Sequence, residues 1–187
     1  MFLLVLNLCL GADKLVIFLA RATLHLAPAL VGLVVAAGGA GGLLGAIGTS
    51  ALCRRLGPLP VVAVCAAASG VALILIASAT GLPVLLAGNL LYTWAIIAAS
   101  VTLRALRQAL VPRPLLGRVT AAWRLGGQAV TLAGAVLAGA ATALLAGDPR
   151  PVLAAAGVLT ILCSGVAWLA ALRKEDGASV AVALLGR

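Results

Sequence analysis

Apolar residues run along this chain in six long blocks, over residues 2–20, 28–53, 59–79, 82–103, 119–146 and 150–172. A helix needs about 20 residues to cross a bilayer, and each block has roughly that length or more. None alternates apolar with polar positions, so membrane-spanning strands do not fit. The interruptions are helix breakers: Pro28, the pair Gly57-Pro58, Gly81 with Pro83, Pro112 with Pro114, and Pro149 with Pro151. Lipid offers no partner to a backbone N–H or C=O, so each block should satisfy its own hydrogen bonds as a helix. Residues 173–187 read as a short cytoplasmic tail, with an apolar patch at 180–185 that touches the membrane surface.

Composition agrees with the pattern. Of 187 residues, 64% are hydrophobic and 9% charged, and mean hydropathy is +1.26. A soluble domain is about half apolar and roughly a quarter charged. No soluble globule can cover that much apolar surface, which excludes a cytosolic enzyme, a disordered tail and a nucleic-acid module. The net charge of +9 therefore points to orientation in the membrane rather than to nucleic acid as a partner. Arg54, Arg55, Arg104, Arg107, Arg113, Arg118, Arg124, Arg173, Lys174 and Arg187 fall on one side of a six-span topology, and only Arg21 and Arg150 on the other. Basic loops stay in the cytoplasm, so both termini are expected there, in a multi-pass protein of the cell (inner or plasma) membrane.

Cys9, Cys53, Cys65 and Cys163 are scattered, with no CxxC and no neighbouring histidine, and read as small apolar filler. The N-terminus lacks the basic start of a signal peptide, and Asp13-Lys14 breaks its apolar run. The abrupt entry into a helix at Phe2 suggests a partial gene product.

Charge inside a span is rare, and by default marks a functional site. Asp13 and Lys14 sit near the middle of the first block. A carboxylate there can take up and release a proton during transport. Adjacent positions on a helix point about 100° apart, so the two are not expected to pair, whereas Asn7 and Lys14 share a face. In the fourth block Asn89, Thr93, Ser100 and Arg107 form one stripe, flanked by Tyr92 and Trp94; in the fifth, Arg124, Gln128, Thr131 and Thr142 form another. Such stripes either line a cavity or hydrogen-bond neighbouring helices. The glycines of the second block include the GxxxG pairs Gly38/Gly42 and Gly41/Gly45, which suit close helix packing. Residues 104–118 read RALRQALVPRPLLGR. They predict a basic amphipathic extension of the fourth helix that anchors or latches at the cytoplasmic surface, outside the substrate path. Trp123 and Trp168 read as interface or packing residues, and His25 as a solvated loop residue. No catalytic constellation, metal cluster or cofactor motif is present, so enzyme chemistry is not expected.

Two stretches carry a family likeness. Residues 26–58, LAPALVGLVVAAGGAGGLLGAIGTSALCRRLGP, resemble a loop leading into a Gly-rich helix that ends in an R-R-x-G turn, with Gly48, Arg54, Arg55 and Gly57 in the matching places. The acidic residue common in the family's first copy of that loop motif is absent. Residues 106–124, LRQALVPRPLLGRVTAAWR, resemble the pattern before helix eleven, through Arg107, Gln108, Pro112, Leu116, Gly117, Arg118, Val119 and Ala121. Over residues 3–172 the chain thus resembles the C-terminal half of a major facilitator superfamily (MFS) transporter, in the branch of macrolide-type and siderophore-type exporters. The resemblance implies an all-α membrane bundle of six helices, one MFS-type half built as a 3+3 inverted repeat. It implies ion-coupled efflux of a small amphiphilic compound, with Asp13, Lys14, Asn7, Asn89, Thr93, Ser100, Gln128 and Thr131 as substrate or proton candidates. The implied partners are the bilayer, the substrate, and a separate N-terminal half or a second copy. Two other readings fit the same residues: a remnant or assembly subunit that transports nothing, and a six-helix exporter of another family acting as a dimer.

Overall fold

Proline sets where the long helices begin. It occupies the first or second position of all five long helices among the described residues, where its missing N–H would have had no helical partner and its fixed φ suits the first turn. The structure, a computed structural model, describes residues 11–185, and side chains within residues 11–169. Residues 2–10 of the first apolar block, with Asn7 and Cys9, lie outside the described residues, as does Arg187.

Every regular element among the described residues is helical. We name the short first segment, residues 11–23, α1. It passes from a 3₁₀ turn, Gly11–Lys14, through one α turn, Leu15–Phe18, into a π turn, Leu19–Thr23. The others are α2 (Pro28–Leu56), α3 (Pro58–Ala77), α4 (Leu82–Leu110), α5 (Arg113–Leu144) and α6 (Arg150–Leu185). Among the described residues, four helices are long and apolar enough to cross a membrane: Pro28–Leu56, Pro58–Ala77, Leu82–Leu110 and Pro114–Leu144. Arg150–Val166 is a shorter apolar stretch.

The bounds depart from the sequence reading in two places. α5 begins at Arg113 rather than near residue 119, because Pro114 starts the helix instead of separating it from its neighbour. α6 runs to Leu185 through residues 173–185, which the sequence reading made a tail. Gly177 is the only strong breaker in that stretch, and a single glycine costs a helix only about 1 kcal/mol.

α2 and α3 both pack on α4; α3 also packs on α6, and α1 packs on α5. Glycine makes these crossings close. A Cβ on Gly41 would strike the Leu90 carbonyl oxygen, and one on Gly45 would stand 2.5 Å from that of Trp94. Where α3 crosses α6 the contacts are reciprocal. A Cβ on Gly70 would lie 2.6 Å from the Gly157 carbonyl oxygen and 2.7 Å from Ile161 Cγ1; one on Gly157 would lie 2.6 Å from the Gly70 carbonyl oxygen and 2.8 Å from Ile74 Cγ1. The two helices share a local pattern there, GVALIL at 70–75 and GVLTIL at 157–162.

The principal core lies toward one end of the bundle. Leu19, Leu73, Ile76, Leu85 and Leu153 are fully buried in it, near the connections at 24–27, 78–81 and 145–149. Arg150 fastens that end by donating from its guanidinium to the Ala79 carbonyl at 3.0 Å. Elsewhere the helices turn large apolar side chains outward: Leu43, Ile47, Leu125 and Leu144 are 68%, 75%, 74% and 88% exposed. Apolar faces of this extent require lipid or another helix, and they mark a membrane protein.

Candidate functional site

α4 and α5 follow each other in sequence but stand apart, and the space between them is a cavity of about 530 Å³. That size lies within the usual range for small-molecule sites. α4 contributes Tyr92, Ile96, Ala99, Ser100, Leu103, Arg104, Arg107 and Gln108; α5 contributes Thr120, Trp123, Arg124, Gly127, Gln128 and Thr131. Asp13 of α1 completes the lining. α1 reaches the cavity because Gly11 has no side chain: a Cβ there would stand 2.6 Å from the Thr131 carbonyl oxygen.

The wall changes character along its length. At the end where α4 leaves for α5, Arg107 lies over the Trp123 ring, 4.5 Å from its centroid, and the two span the gap between the helices. Arg104 and Arg124 belong to the same end, and Ser100 and Gln128 come next. Toward the closed end lie Tyr92, Ile96, Thr131 and Asp13. Among the described residues no carboxylate pairs with Arg104, Arg107 or Arg124; the ion pair present is Lys14 with Asp13.

That pair corrects the sequence reading. Lys14 Nζ lies 3.1 Å from Asp13 Oδ1 and donates to Oδ2 at 3.2 Å. A lysine's four-carbon stem lets the ammonium turn back to its neighbour even though adjacent positions diverge. Lys14 remains 68% exposed, while Asp13 is 28% exposed and its Oδ1 accepts no hydrogen bond.

The fourth block's polar stripe divides. Asn89 Nδ2 donates to the Val34 carbonyl of α2 at 2.7 Å, and Thr93 Oγ1 donates to the Asn89 carbonyl at 2.6 Å. Gly38 makes room for both: a Cβ there would be 2.7 Å from Asn89 Nδ2 and 3.2 Å from Thr93 Oγ1. Asn89 thus joins α4 to α2, Thr93 bonds back to its own helix beside Gly38, and Ser100 lines the cavity. On α5, Gln128 and Thr131 line the cavity, while Thr142 is buried and donates to its own helix at Ala138. Arg107 and Gln108, in the segment expected to act as a cytoplasmic anchor or latch, belong to the cavity wall. Gly48, Arg54, Arg55, Gly57 and Arg118 are not among its lining residues. Gly57 forms the tight turn between α2 and α3 with φ at 82°, a conformation that suits glycine.

Sequence reasoning did not single out Arg104, Trp123 and Arg124 as one group. The available signal was the three-residue spacing of Arg104 and Arg107, which puts both on one face of α4. No group of His, Cys, Asp or Glu among the described residues is placed to hold a metal ion. Comparison with family models, with curated proteins and with solved structures finds no match for this chain.

Proposed function

We propose that the chain is one six-helix half of an MFS-type transporter, and that the α4–α5 cavity is its share of a pathway for a small amphiphilic compound. The observation that carries this reading is a bundle closed at one end by its core and open at the other into a polar, aromatic-lined cavity. The pairing of helices supports it. Exchanging the first three helices with the last three turns α1–α5 into α4–α2 and leaves α3–α6 in place, and these pairs pack. The reciprocal Gly70–Gly157 crossing lies where the two-fold axis of a 3+3 inverted repeat would pass.

The positive-inside rule orients the bundle. Arg54, Arg55 and the arginines of 104–118 put the open end in the cytoplasm, with both termini on that side, and Arg150 at the closed, outer end. The cavity then faces the cytoplasm, where an exporter collects its cargo. Asp13, in the cavity wall and beside Lys14, is the group that binds and releases a proton as cargo moves. A midplane site of this architecture needs walls from two halves, so the chain works with a second six-helix half.

The test is reconstitution of the chain with a matching N-terminal half in liposomes, under an imposed proton gradient, with a fluorescent amphiphile as cargo. Gradient-driven movement is expected with Asp13 present, and Asp13→Asn should abolish the dependence on the gradient. Equal coupling in the variant would overturn the role given to Asp13, and absence of movement in every arm would overturn the transport reading.

A further inference from the structure

We infer that the cytoplasmic end of the α4–α5 cavity binds the acidic head of an amphiphilic anion, a phosphate or a carboxylate. This inference rests on the transport reading and narrows its cargo. Arg104, Arg107 and Arg124 converge on one cavity, and among the described residues no carboxylate is paired with any of them. The one acid in the lining, Asp13, belongs to the far end and already faces Lys14. Like charges on one helix face repel. An anion between α4 and α5 relieves that repulsion, and guanidinium groups match phosphate and carboxylate in two-point hydrogen bonds. Gln108 and Gln128 add neutral donors on either side of the same space.

The remainder of the cavity suits an apolar tail. Arg107 and Ile96 are eleven residues apart on α4, about 16 Å along the helix at 1.5 Å per residue. Between them Leu103 and Ala99 also line the cavity. A head held at the arginines would therefore lay its tail along an apolar strip of α4. Two sources supply such a molecule: an anionic phospholipid of the surrounding leaflet and a water-soluble acidic amphiphile.

Trp123 provides the signal, because its ring lies against Arg107. The full chain, with Trp94→Phe and Trp168→Phe, is placed in phosphatidylcholine nanodiscs and titrated with decyl phosphate while Trp123 emission is followed. Saturable binding is expected, at least tenfold weaker in Arg104→Gln/Arg124→Gln. Binding should be largely restored in Arg104→Lys/Arg124→Lys and unchanged in Arg54→Gln/Arg55→Gln, whose arginines are exposed in the last turn of α2. Thermal unfolding of each variant checks that it folds. Phosphatidylglycerol in the disc, if it blocks decyl phosphate, assigns the site to lipid; inorganic phosphate, if it competes instead, assigns it to a soluble acid. Decyltrimethylammonium binding as tightly as decyl phosphate would overturn the inference, as would full binding in the glutamine double variant. Cargo movement with no anion binding would refute this inference alone, and anion binding with no gradient-driven movement would refute the transport reading alone.

Discussion

Replacing Gly70 by alanine should destabilise the bundle by about 1–2 kcal/mol. The new Cβ would lie 2.6 Å from the Gly157 carbonyl oxygen and 3.2 Å from the Ile161 backbone nitrogen, against the 3.4 Å at which ordinary contact begins. Ile161 Cγ1, at 2.7 Å, can rotate away, but the backbone atoms cannot. α3 and α6 must therefore part by about 0.8 Å at their crossing, and a gap of that size forfeits a quarter to a half of the dispersion energy of each contact it opens. Overpacking of this kind costs about 1–3 kcal/mol, and the helix preference for alanine over glycine returns about 0.5–1 kcal/mol. Gly157→Ala should cost a similar amount, since its surroundings are the mirror of those at Gly70. Both changes demand the same displacement, so the double variant should cost clearly less than the sum of the two. Gly139→Ala is the control: nothing lies within 4 Å of a Cβ at that position, so it should be neutral or slightly stabilising. The assay is equilibrium unfolding of the full chain in mixed micelles titrated with sodium dodecyl sulfate. If Gly70→Ala behaves like Gly139→Ala, or if the double variant shows the simple sum, the close reciprocal crossing is wrong.

Other changes probe other contacts. Asn89→Leu removes the hydrogen bond to Val34, and should cost about 0.6–2 kcal/mol in the same unfolding assay; Ser100→Ala should leave stability within about 0.5 kcal/mol, as its side chain lines the cavity. Arg107→Ala and Trp123→Ala, measured singly and together, should show a coupling of about 0.5–1 kcal/mol from the cation–ring contact, and additivity would deny that contact. Arg150→Gln loses a charged hydrogen bond to the Ala79 carbonyl and should cost about 1.5–3 kcal/mol. Cysteines replacing Arg54, Arg113 and Lys174 should resist membrane-impermeant reagents added to intact cells; reaction at any of them from outside would contradict the proposed orientation.

Much of the helical layout was legible because proline and glycine mark helix ends through backbone geometry, without reference to neighbours. Pro28, Pro58 and Pro83 give the starts of α2, α3 and α4 to within a residue. The pair Pro112 and Pro114 was harder to read, since proline can stop one helix or start the next, and here Pro114 starts α5. The division of the fourth block's stripe was not legible. Periodicity puts Asn89, Thr93 and Ser100 on one face, but only the path of α2 across α4 decides which of them meets a helix and which meets the cavity. The three-arginine group was hidden for the same reason: Arg104 and Arg107 belong to one helix, and Arg124 joins them only when α5 returns alongside. The GVALIL and GVLTIL match is short, in a chain with 22 glycines and many alanines and leucines, and it gained meaning from the reciprocal contacts of Gly70 and Gly157. The irregular turns of α1 gave no signal, since residues 11–23 contain no proline and a glycine only at the start.

The most direct measurement compares proteoliposomes holding this chain alone with proteoliposomes holding it together with a matching N-terminal half, under the same imposed proton gradient. On the proposed reading the chain supplies one wall of a midplane pathway, and the polar groups lining its cavity, such as Asp13 and Gln128, would face a second wall. Gradient-driven movement of the amphiphile is predicted only when both halves are present. Movement driven by this chain alone, shown to be a monomer, would contradict the account.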